Sequence, residues 1–265
     1  MKITIIGAGT MGKIFLSACQ KVFSESQITA TVGSGESVDE LRLNFSNINF
    51  GSDNKLAVEN SDLVILAVKP QNFLEVAKEI KGLLKPDVLV MSVMAGVNME
   101  KIKNELAVEK VVRTMPNLGA RVGKSMTVWT CLHKVDEQAK EAIIKLLNVI
   151  GKELFVDTEE KINKATAVSG SGPGFFFAVV EEWLKAVEEF GFSEKESKML
   201  LLQTIDGAND LLQADSEVSG LRKQVSSKGG TTEAGLKVLQ TVNLEKIWQE
   251  ILNKSFEKAV ELANA

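Results

Sequence analysis

The sequence predicts two domains: an α/β domain with a doubly wound, mostly parallel sheet, followed by an all-helical domain. Short β-rich runs alternate with amphipathic stretches up to residue 157, and almost everything beyond it has helical periodicity. A Gly-x-Gly-x-x-Gly motif directly follows the first β-rich run. Alternation of this kind is typical of a sheet with helices on both faces, and the glycine motif indicates the Rossmann type.

Five runs are predicted to be strands. They are Ile3 to Ile6, Ile28 to Val32, Leu63 to Val68, Val88 to Val93 and Val111 to Arg113. The runs 63–68 and 88–93 are nearly all apolar, which is expected of strands whose two faces are both covered by helices.

Capping side chains followed three residues later by glutamate predict where helices begin. The pairs are Ser37 with Glu40, Asp157 with Glu160, and Ser193 with Glu196; Gly191 is predicted to end the helix before the last pair. We place the domain boundary at the second pair, so that residues 1–157 form the α/β domain and residues 158–265 the helical domain.

The glycine motif predicts that residues 1–157 bind a dinucleotide. Its residues are Gly7, Ala8, Gly9, Thr10, Met11 and Gly12. The first glycine allows a tight turn, the second lets the backbone approach a pyrophosphate, and the third lets helix and strand pack closely. The helix that begins here presents unpaired N–H groups and a positive dipole end to the phosphates.

The end of the second predicted strand favours NADP(H) and leaves NAD(H) open. A carboxylate normally stands there when the ribose 2′-hydroxyl of NAD is bound. Here the strand continues into Gly33 and Ser34, whose hydroxyl, with neighbouring glycine amides, could hold a 2′-phosphate. Against this, no arginine precedes Arg42, and Glu36 would repel a phosphate if it pointed inward.

Three further features are open to two interpretations each. Lys69, just after the run 63–68, is either a cofactor contact or a solvated loop lysine. Residues 169–174, Ser-Gly-Ser-Gly-Pro-Gly, predict either a helix kink or a place where a ligand ring lies against the backbone. Trp183, Val187 and Phe190 have helical spacing and predict core or a subunit interface.

Residues 226–232, Ser-Ser-Lys-Gly-Gly-Thr-Thr, precede a clear helix. One hydroxyl would suffice to cap that helix, whereas this segment has four. The surplus of hydroxyls and the paired glycines predict a carboxylate or phosphate site at the helix N-terminus.

Composition excludes several classes of function. The chain has 265 residues, a net charge of −4, one histidine, two cysteines and no tyrosine. A site built from two histidines is therefore excluded, we expect no metal, and His133 is expected to be a surface residue without a catalytic role. The acidic balance gives no reason to expect nucleic acid, and no apolar run reaches the roughly 20 residues of a membrane span. With no signal peptide expected and with Cys19 and Cys131 as free thiols, we expect a cytoplasmic protein.

Six stretches, in their order along nearly the whole chain, resemble the pyrroline-5-carboxylate reductase family. They are Gly7 to Gly12, Ala67 to Gln71, Ala95 to Val97, Met115 to Asn117, Ser169 to Pro173 and Gly229 to Thr232. The resemblance implies hydride transfer from NAD(P)H to the C=N carbon of 1-pyrroline-5-carboxylate, which gives proline in the last step of its biosynthesis. It also implies homodimers formed through the helical domain, or larger rings of dimers.

The same resemblance assigns roles to individual residues. Those implied on the adenosine and nicotinamide-ribose side are Ser34, Asn54, Ala67, Val68, Lys69 and Pro70. Those implied near the nicotinamide are Ala95, Gly96, Met115, Pro116 and Asn117. Those implied to hold the substrate are Glu159, Ser227, Gly229, Gly230, Thr231 and Thr232, with the Thr232 hydroxyl as the catalytic group at the imine nitrogen.

Departures from the family pattern keep alternatives open. Lys228 stands where proline is usual, Leu118 and Gly119 replace Thr-Pro, and Gly174 and Phe175 replace Ala-Tyr. The alternatives are a reductase of another cyclic imine acid, a β-hydroxyacid dehydrogenase, and a catalytically weak regulatory nucleotide-binding protein. The dehydrogenase would need a lysine on the helix after the Ser/Gly cluster, where none occurs before Lys185.

Overall fold

The computed structural model describes residues 1–23, 27–33, 38–45, 48–214 and 217–264. Eight strands form one sheet. They are β1 (Ile3–Ile6), β2 (Ile28–Thr31), β3 (Asn49–Gly51), β4 (Leu63–Leu66), β5 (Leu89–Ser92), β6 (Lys110–Met115), β7 (Ser125–Cys131) and β8 (Gly151–Phe155). Their order is β3-β2-β1-β4-β5-β6-β7-β8, and every neighbouring pair is parallel except β6 with β7.

Helices connect most of the strands, and beyond β8 all the regular secondary structure of the described residues is helical. In the sheet region they are α1 (Thr10–Val22), α2 (Val38–Asn44), α3 (Asn54–Val58), α4 (Phe73–Ile80), α5 (Met99–Leu106) and α6 (Glu137–Ile150). Beyond β8 they are α7 (Glu159–Ala165), α8 (Gly172–Glu189), α9 (Glu194–Ala214), α10 (Val218–Gln224), α11 (Thr231–Thr241) and α12 (Leu244–Asn264). The predicted fold class is confirmed.

Apolar strands explain why helices cover the sheet on both faces. Every residue of β1, β4 and β5 is buried, so each of these strands needs an apolar layer on either side. One buried cluster contains Phe15 of α1 and Trp129 of β7, and the other contains Phe73 of α4 and Ile102 of α5. The five predicted strands all exist, and their ends agree with the prediction to within two residues.

The sequence did not predict β3, β7 or β8. β3 is a three-residue edge strand whose residues are exposed or half-buried, so it has no apolar pattern. β7 carries buried hydroxyls where an apolar residue would be expected. The side chains of Ser125 and Thr127 satisfy each other across 3.0 Å, which makes their burial tolerable.

Two of the predicted helix boundaries are found and one is shifted. Glu196 Oε2 accepts hydrogen bonds from the N–H and the hydroxyl of Ser193, and Gly191 has a φ of 108°. At the start of α7 the cap is Thr158 rather than Asp157, because the Asp157 carboxylate pairs with Lys161 at 2.8 Å. Ser37, the capping residue of the first pair, lies outside the residues that the structure describes.

The chain divides into two compact units, residues 1–173 with 254–265, and residues 174–253. Helical structure does begin near the predicted boundary, at Glu159. The division between the units falls later because α7 packs on β6 and β7, and because the end of α12 packs on the loop after β5. No helix within the described ranges is long and apolar enough to cross a membrane.

Candidate cofactor and substrate sites

The glycine motif forms a turn between β1 and α1 that has no room for side chains at two positions. Gly7 has a φ of 95°, and a Cβ atom there would lie 2.9 Å from the carbonyl oxygen of Ala67. A Cβ atom on Gly12 would overlap the carbonyl oxygen of Gly7. The N–H groups of Gly7 and Ala8 both donate to the carbonyl of Thr31 at 3.1 Å, which fixes the turn against β2. The first and third glycines therefore have the geometry that the motif predicts.

The start of α1 offers unpaired donors. Gly9 is the N-cap residue of α1 and, being glycine, has no side chain that could accept from the first N–H groups of the helix. Its carbonyl accepts the first helical hydrogen bond. The N–H groups of Thr10, Met11 and Gly12 have no acceptor among the described residues. N–H groups left unpaired at a helix N-terminus, together with the helix dipole, attract phosphate groups. This end of α1 fits a pyrophosphate.

A cavity of about 590 Å³ opens where β1, β2 and β4 end. Three of the residues predicted to bind the cofactor line it: Gly7, Asn54 and Val68. Two carboxylates, Glu75 and Glu79, also line it, and Asn54 Nδ2 donates to Glu79 Oε2 at 2.7 Å. Sequence reasoning did not find Glu79, since 25 residues separate it from its partner. The prediction for Ser34 lies outside the described residues.

Lys69, in the segment after β4, is not among the described residues that line this cavity. Lys69 is exposed and caps the short 3-10 helix Pro70–Asn72 through its backbone, whose carbonyl accepts from Asn72 at 2.9 Å. In the described part of the chain its side chain makes no hydrogen bond or ion pair. Its cofactor role stays a prediction.

The loop after β5 and the end of β6 lie side by side, because these two strands are parallel neighbours. Gly96 has a φ of 71°, and a Cβ atom there would lie 2.8 Å from Cβ of Leu262 on α12. At the end of β6, Met115 Cε would lie 2.9 Å from a Cβ atom on Gly170. The predicted nicotinamide residues Ala95, Gly96, Met115, Pro116 and Asn117 thus share one edge of the sheet.

Asn117 connects this edge to the Ser/Gly cluster. Its Nδ2 donates to the carbonyl of Ser169 at 2.9 Å, and its Oδ1 accepts from the N–H of Gly119 at 2.9 Å. Gly119 has no room for a Cβ atom, which would lie 2.6 Å from the carbonyl oxygen of Lys124, so packing accounts for the glycine at this position. Ser169 belongs to a π-helical turn, Thr166–Gly170, between α7 and α8. Such turns are frequent at functional sites.

Glu159, predicted to face the substrate, is bound to protein groups. Its Oε1 accepts from Arg113 Nη1 at 2.8 Å and from the N–H of Met99 at 3.0 Å. Arg113 also donates to Asn163 Oδ1 at 2.8 Å, and its side chain is 1% exposed against 25% for Glu159. A buried arginine needs such partners, so the contact holds α7 on β6. The arginine within the apolar run 111–115 was the signal in the sequence.

In the second unit, residues 226–232 form a tight loop that ends at the N-terminus of α11. Gly229 has a φ of 75°, and its N–H donates to Glu233 Oε2 at 2.8 Å. The N–H of Gly230 donates to the carbonyl of Ser227 at 3.0 Å, and Gly230 caps α11 without a side chain. The hydroxyl-bearing residues Thr231 and Thr232 are exposed, and their N–H groups have no acceptor in the described ranges. Donors collected in this way suit a carboxylate.

His133 is exposed, as predicted. Within the residues that the structure describes, no group of three or more histidine, cysteine, aspartate or glutamate side chains could hold a metal ion.

Comparison with known families matches both parts of the chain. A family model described as pyrroline-5-carboxylate reductase dimerisation matches residues 159–262. A second, described as NADP oxidoreductase coenzyme F420-dependent, matches residues 2–96.

Known proteins resemble the chain over its full length. A pyrroline-5-carboxylate reductase of Staphylococcus aureus is 30% identical, covering 100% of this chain and 98% of its own. The structure of such a reductase from Coxiella burnetii has a TM-score of 0.88 and 31% identity, covering 99% of this chain and 98% of its own. A Plasmodium falciparum pyrroline carboxylate reductase with NADP bound has a TM-score of 0.88 and 25% identity at the same coverage.

Proposed function

The chain belongs to the pyrroline-5-carboxylate reductase family, and we propose that it reduces 1-pyrroline-5-carboxylate to L-proline with a nicotinamide cofactor. The resemblance drawn from the motifs is thus confirmed at the level of the family. The observation that carries the proposal for the substrate is the start of α11, where N–H groups and hydroxyls without acceptors in the described chain surround a glycine pair.

The cofactor fits the first unit. The turn at Gly7 and Gly12 packs so closely that neither position has room for a Cβ atom, and the start of α1 has donors for a pyrophosphate. Asn54 and Val68 would line its adenosine end, and Ala95, Gly96 and Asn117 would lie along its nicotinamide end. When bound, the reduced nicotinamide supplies the hydride.

NADPH is the cofactor that we propose over NADH. No carboxylate ends β2, where Thr31 is followed by Val32 and Gly33. A carboxylate at that position is the feature that selects the ribose 2′-hydroxyl of NADH. The NADP-bound relative from Plasmodium falciparum supports this preference.

The substrate contributes much of its own reactivity. A cyclic imine that is protonated at nitrogen is already electrophilic, so the protein has mainly to orient it. We propose that Ser227, Gly229, Gly230, Thr231 and Thr232 hold its carboxylate. The Thr232 hydroxyl would then hold the proton at the imine nitrogen, a role that requires neither histidine nor tyrosine.

A homodimer is the assembly that we propose, with a ring of dimers as its larger form. The dimerisation model covers the helices from residue 159 to 262, and α8 exposes aromatic side chains that include Trp183. We further propose a cytoplasmic location, because both cysteines are free thiols. Burial raises the pKa of Cys19 to about 12, which keeps this thiol protonated and unreactive.

A steady-state assay of cofactor oxidation tests the proposed reaction. The purified protein is given NADPH or NADH with 1-pyrroline-5-carboxylate, and in parallel with its six-membered cyclic analogue. We expect turnover with the five-membered imine and formation of L-proline. Faster turnover with the six-membered imine would assign the chain to another cyclic imine acid, and no turnover with either would contradict the proposal.

A further inference from the structure

We propose that Glu79 is a positioning residue that acts through Asn54 to set how the protein discriminates between NADH and NADPH. The inference rests on the proposed function, because it takes the cavity at the ends of β1, β2 and β4 as the site of the cofactor's adenosine ribose. It concerns a side chain that neither the motifs nor the resemblance singled out.

The backbone of Asn54 is fixed from both ends of α3. Before it, Asp53 Oδ1 accepts from the N–H groups of Lys55 and Leu56 at 2.8 and 3.2 Å. At the other end, the hydroxyl of Thr4 in β1 donates to the carbonyl of Ala57 at 2.6 Å, in a fully buried contact. The freedom that remains to Asn54 is therefore the rotation of its side chain.

Glu79 removes that remaining freedom. A carboxylate can only accept hydrogen bonds, so the amide nitrogen of Asn54 must face Glu79 Oε2, at 2.7 Å. The amide oxygen then points to the other side as an acceptor. The backbone of Glu79 is held in place, because Phe73, Val76 and Ile80 bury the inner face of its helix, α4.

The charges around the cavity also favour NADH over NADPH. Glu75 and Glu79 are the charged side chains among its described lining residues, and both are acidic. A 2′-phosphate carries a charge of about −2 and can only accept near neutral pH. A ribose 2′-hydroxyl carries no charge and can donate to Oδ1 of Asn54. The contact between Asn54 and Glu79 thus favours NADH. It opposes the preference for NADPH that the lack of a carboxylate at the end of β2 indicates.

The variant Glu79→Gln tests this route. A glutamine can donate as well as accept, so it no longer dictates which way the Asn54 amide faces, and it removes the charge. We expect the affinity for NADP⁺ relative to NAD⁺ to rise about fivefold, the equivalent of one hydrogen bond. The dissociation constants are measured by calorimetry on the full-length protein without substrate.

Three further variants separate the route through Asn54 from its alternatives. Glu75→Gln removes the same charge from the same cavity but not the contact with Asn54, and we expect a change in the ratio of less than about twofold. In an Asn54→Ala background, Glu79→Gln should add almost nothing, since the two residues are coupled. Glu79→Asp keeps the charge but shortens the side chain. It should also raise the affinity for NADP⁺ relative to NAD⁺, by a smaller factor than Glu79→Gln.

Each contrary outcome overturns the inference. An equal loss of affinity for both nucleotides would make Glu79 merely structural, and an equal shift in Glu75→Gln would make the effect one of charge alone. A protein that binds neither nucleotide would show that this cavity is not the cofactor site. A protein that binds both with the expected ratios, yet reduces no imine, would support the inference while contradicting the proposed reaction.

Discussion

The sheet and the helices that follow it bury their side chains to very different degrees. Every residue of β1, β4 and β5 is buried, and two apolar clusters fill the faces of the sheet. Helices α8, α10 and α11, all of whose residues are described, have no buried residue. Trp183 of α8 is 48% exposed, and Phe190, which directly follows this helix, is 85% exposed.

This difference indicates that the two regions obtain their stability in different ways. The sheet completes its core within one chain, and the glycine turn proposed to bind the cofactor is built on that core. The helices have apolar faces that a single chain leaves exposed, and exposed patches of this kind mark association surfaces. The proposed homodimer would cover these faces, and the loop that we propose for the substrate carboxylate lies between α10 and α11.

The largest effect is expected when the exposed helical surface is made charged. Trp183→Glu should weaken the dimer about 1000-fold, because a buried tryptophan at an interface contributes several kcal/mol. Analytical ultracentrifugation over a range of concentrations measures this. Lys185→Gln is the control on the same helix, since Lys185 pairs with Glu181 and Glu182 on the surface. An unchanged dimer in Trp183→Glu would refute the comparison.

A smaller effect is expected in the sheet region, where a substitution should lower the affinity for the cofactor and leave the dimer intact. In Gly12→Ala the added Cβ atom overlaps the carbonyl of Gly7, so cofactor affinity should fall about 100-fold. The dimer should persist, as ultracentrifugation can show. Gly51→Ala is the matched control, because a Cβ atom there meets nothing within 4 Å. A normal cofactor affinity in Gly12→Ala would contradict the proposal that this turn binds the cofactor.

The smallest effect is expected for the contact that fastens α7 to the sheet. Glu159→Gln leaves Arg113 charged and 1% exposed, so the free energy of unfolding should fall by about 2 kcal/mol while the KM for the imine stays nearly constant. Urea denaturation and steady-state kinetics measure the two quantities. Glu160→Gln is the control and should cost less than about 0.5 kcal/mol, because its pair with Lys164 is exposed. A raised KM with unchanged stability would instead favour the substrate role predicted for Glu159.

Periodicity and motifs were enough to predict the fold class, because the buried strands are apolar and the glycine motif has one geometry. They failed at β7, where Ser125 and Thr127 are buried and satisfy each other. They also missed β3, whose edge position requires no apolar pattern. Whether such a segment forms a strand depends on hydrogen bonds and strand pairing between residues that are distant in the sequence. The local sequence pattern shows neither.

The candidate site likewise has features that the sequence predicted and features that it did not. The turn at Gly7 and the loop at Gly229 were predictable because their geometry depends on neighbours in the sequence. The contacts of Glu79 with Asn54 and of Arg113 with Glu159 join residues 25 and 46 positions apart, so only the folded chain shows them. Glu159 was therefore predicted as a substrate group without its arginine partner.

The central claim is that the sheet binds the cofactor while the helical region acts on the substrate, and Thr232→Ala tests it most directly. The turnover number for 1-pyrroline-5-carboxylate should fall about 100-fold, with Thr232→Ser retaining most of it. The dissociation constant for NADP⁺, measured calorimetrically on the same preparation, should stay within about twofold of the unsubstituted protein. An equal loss of cofactor binding in Thr232→Ala would contradict the account.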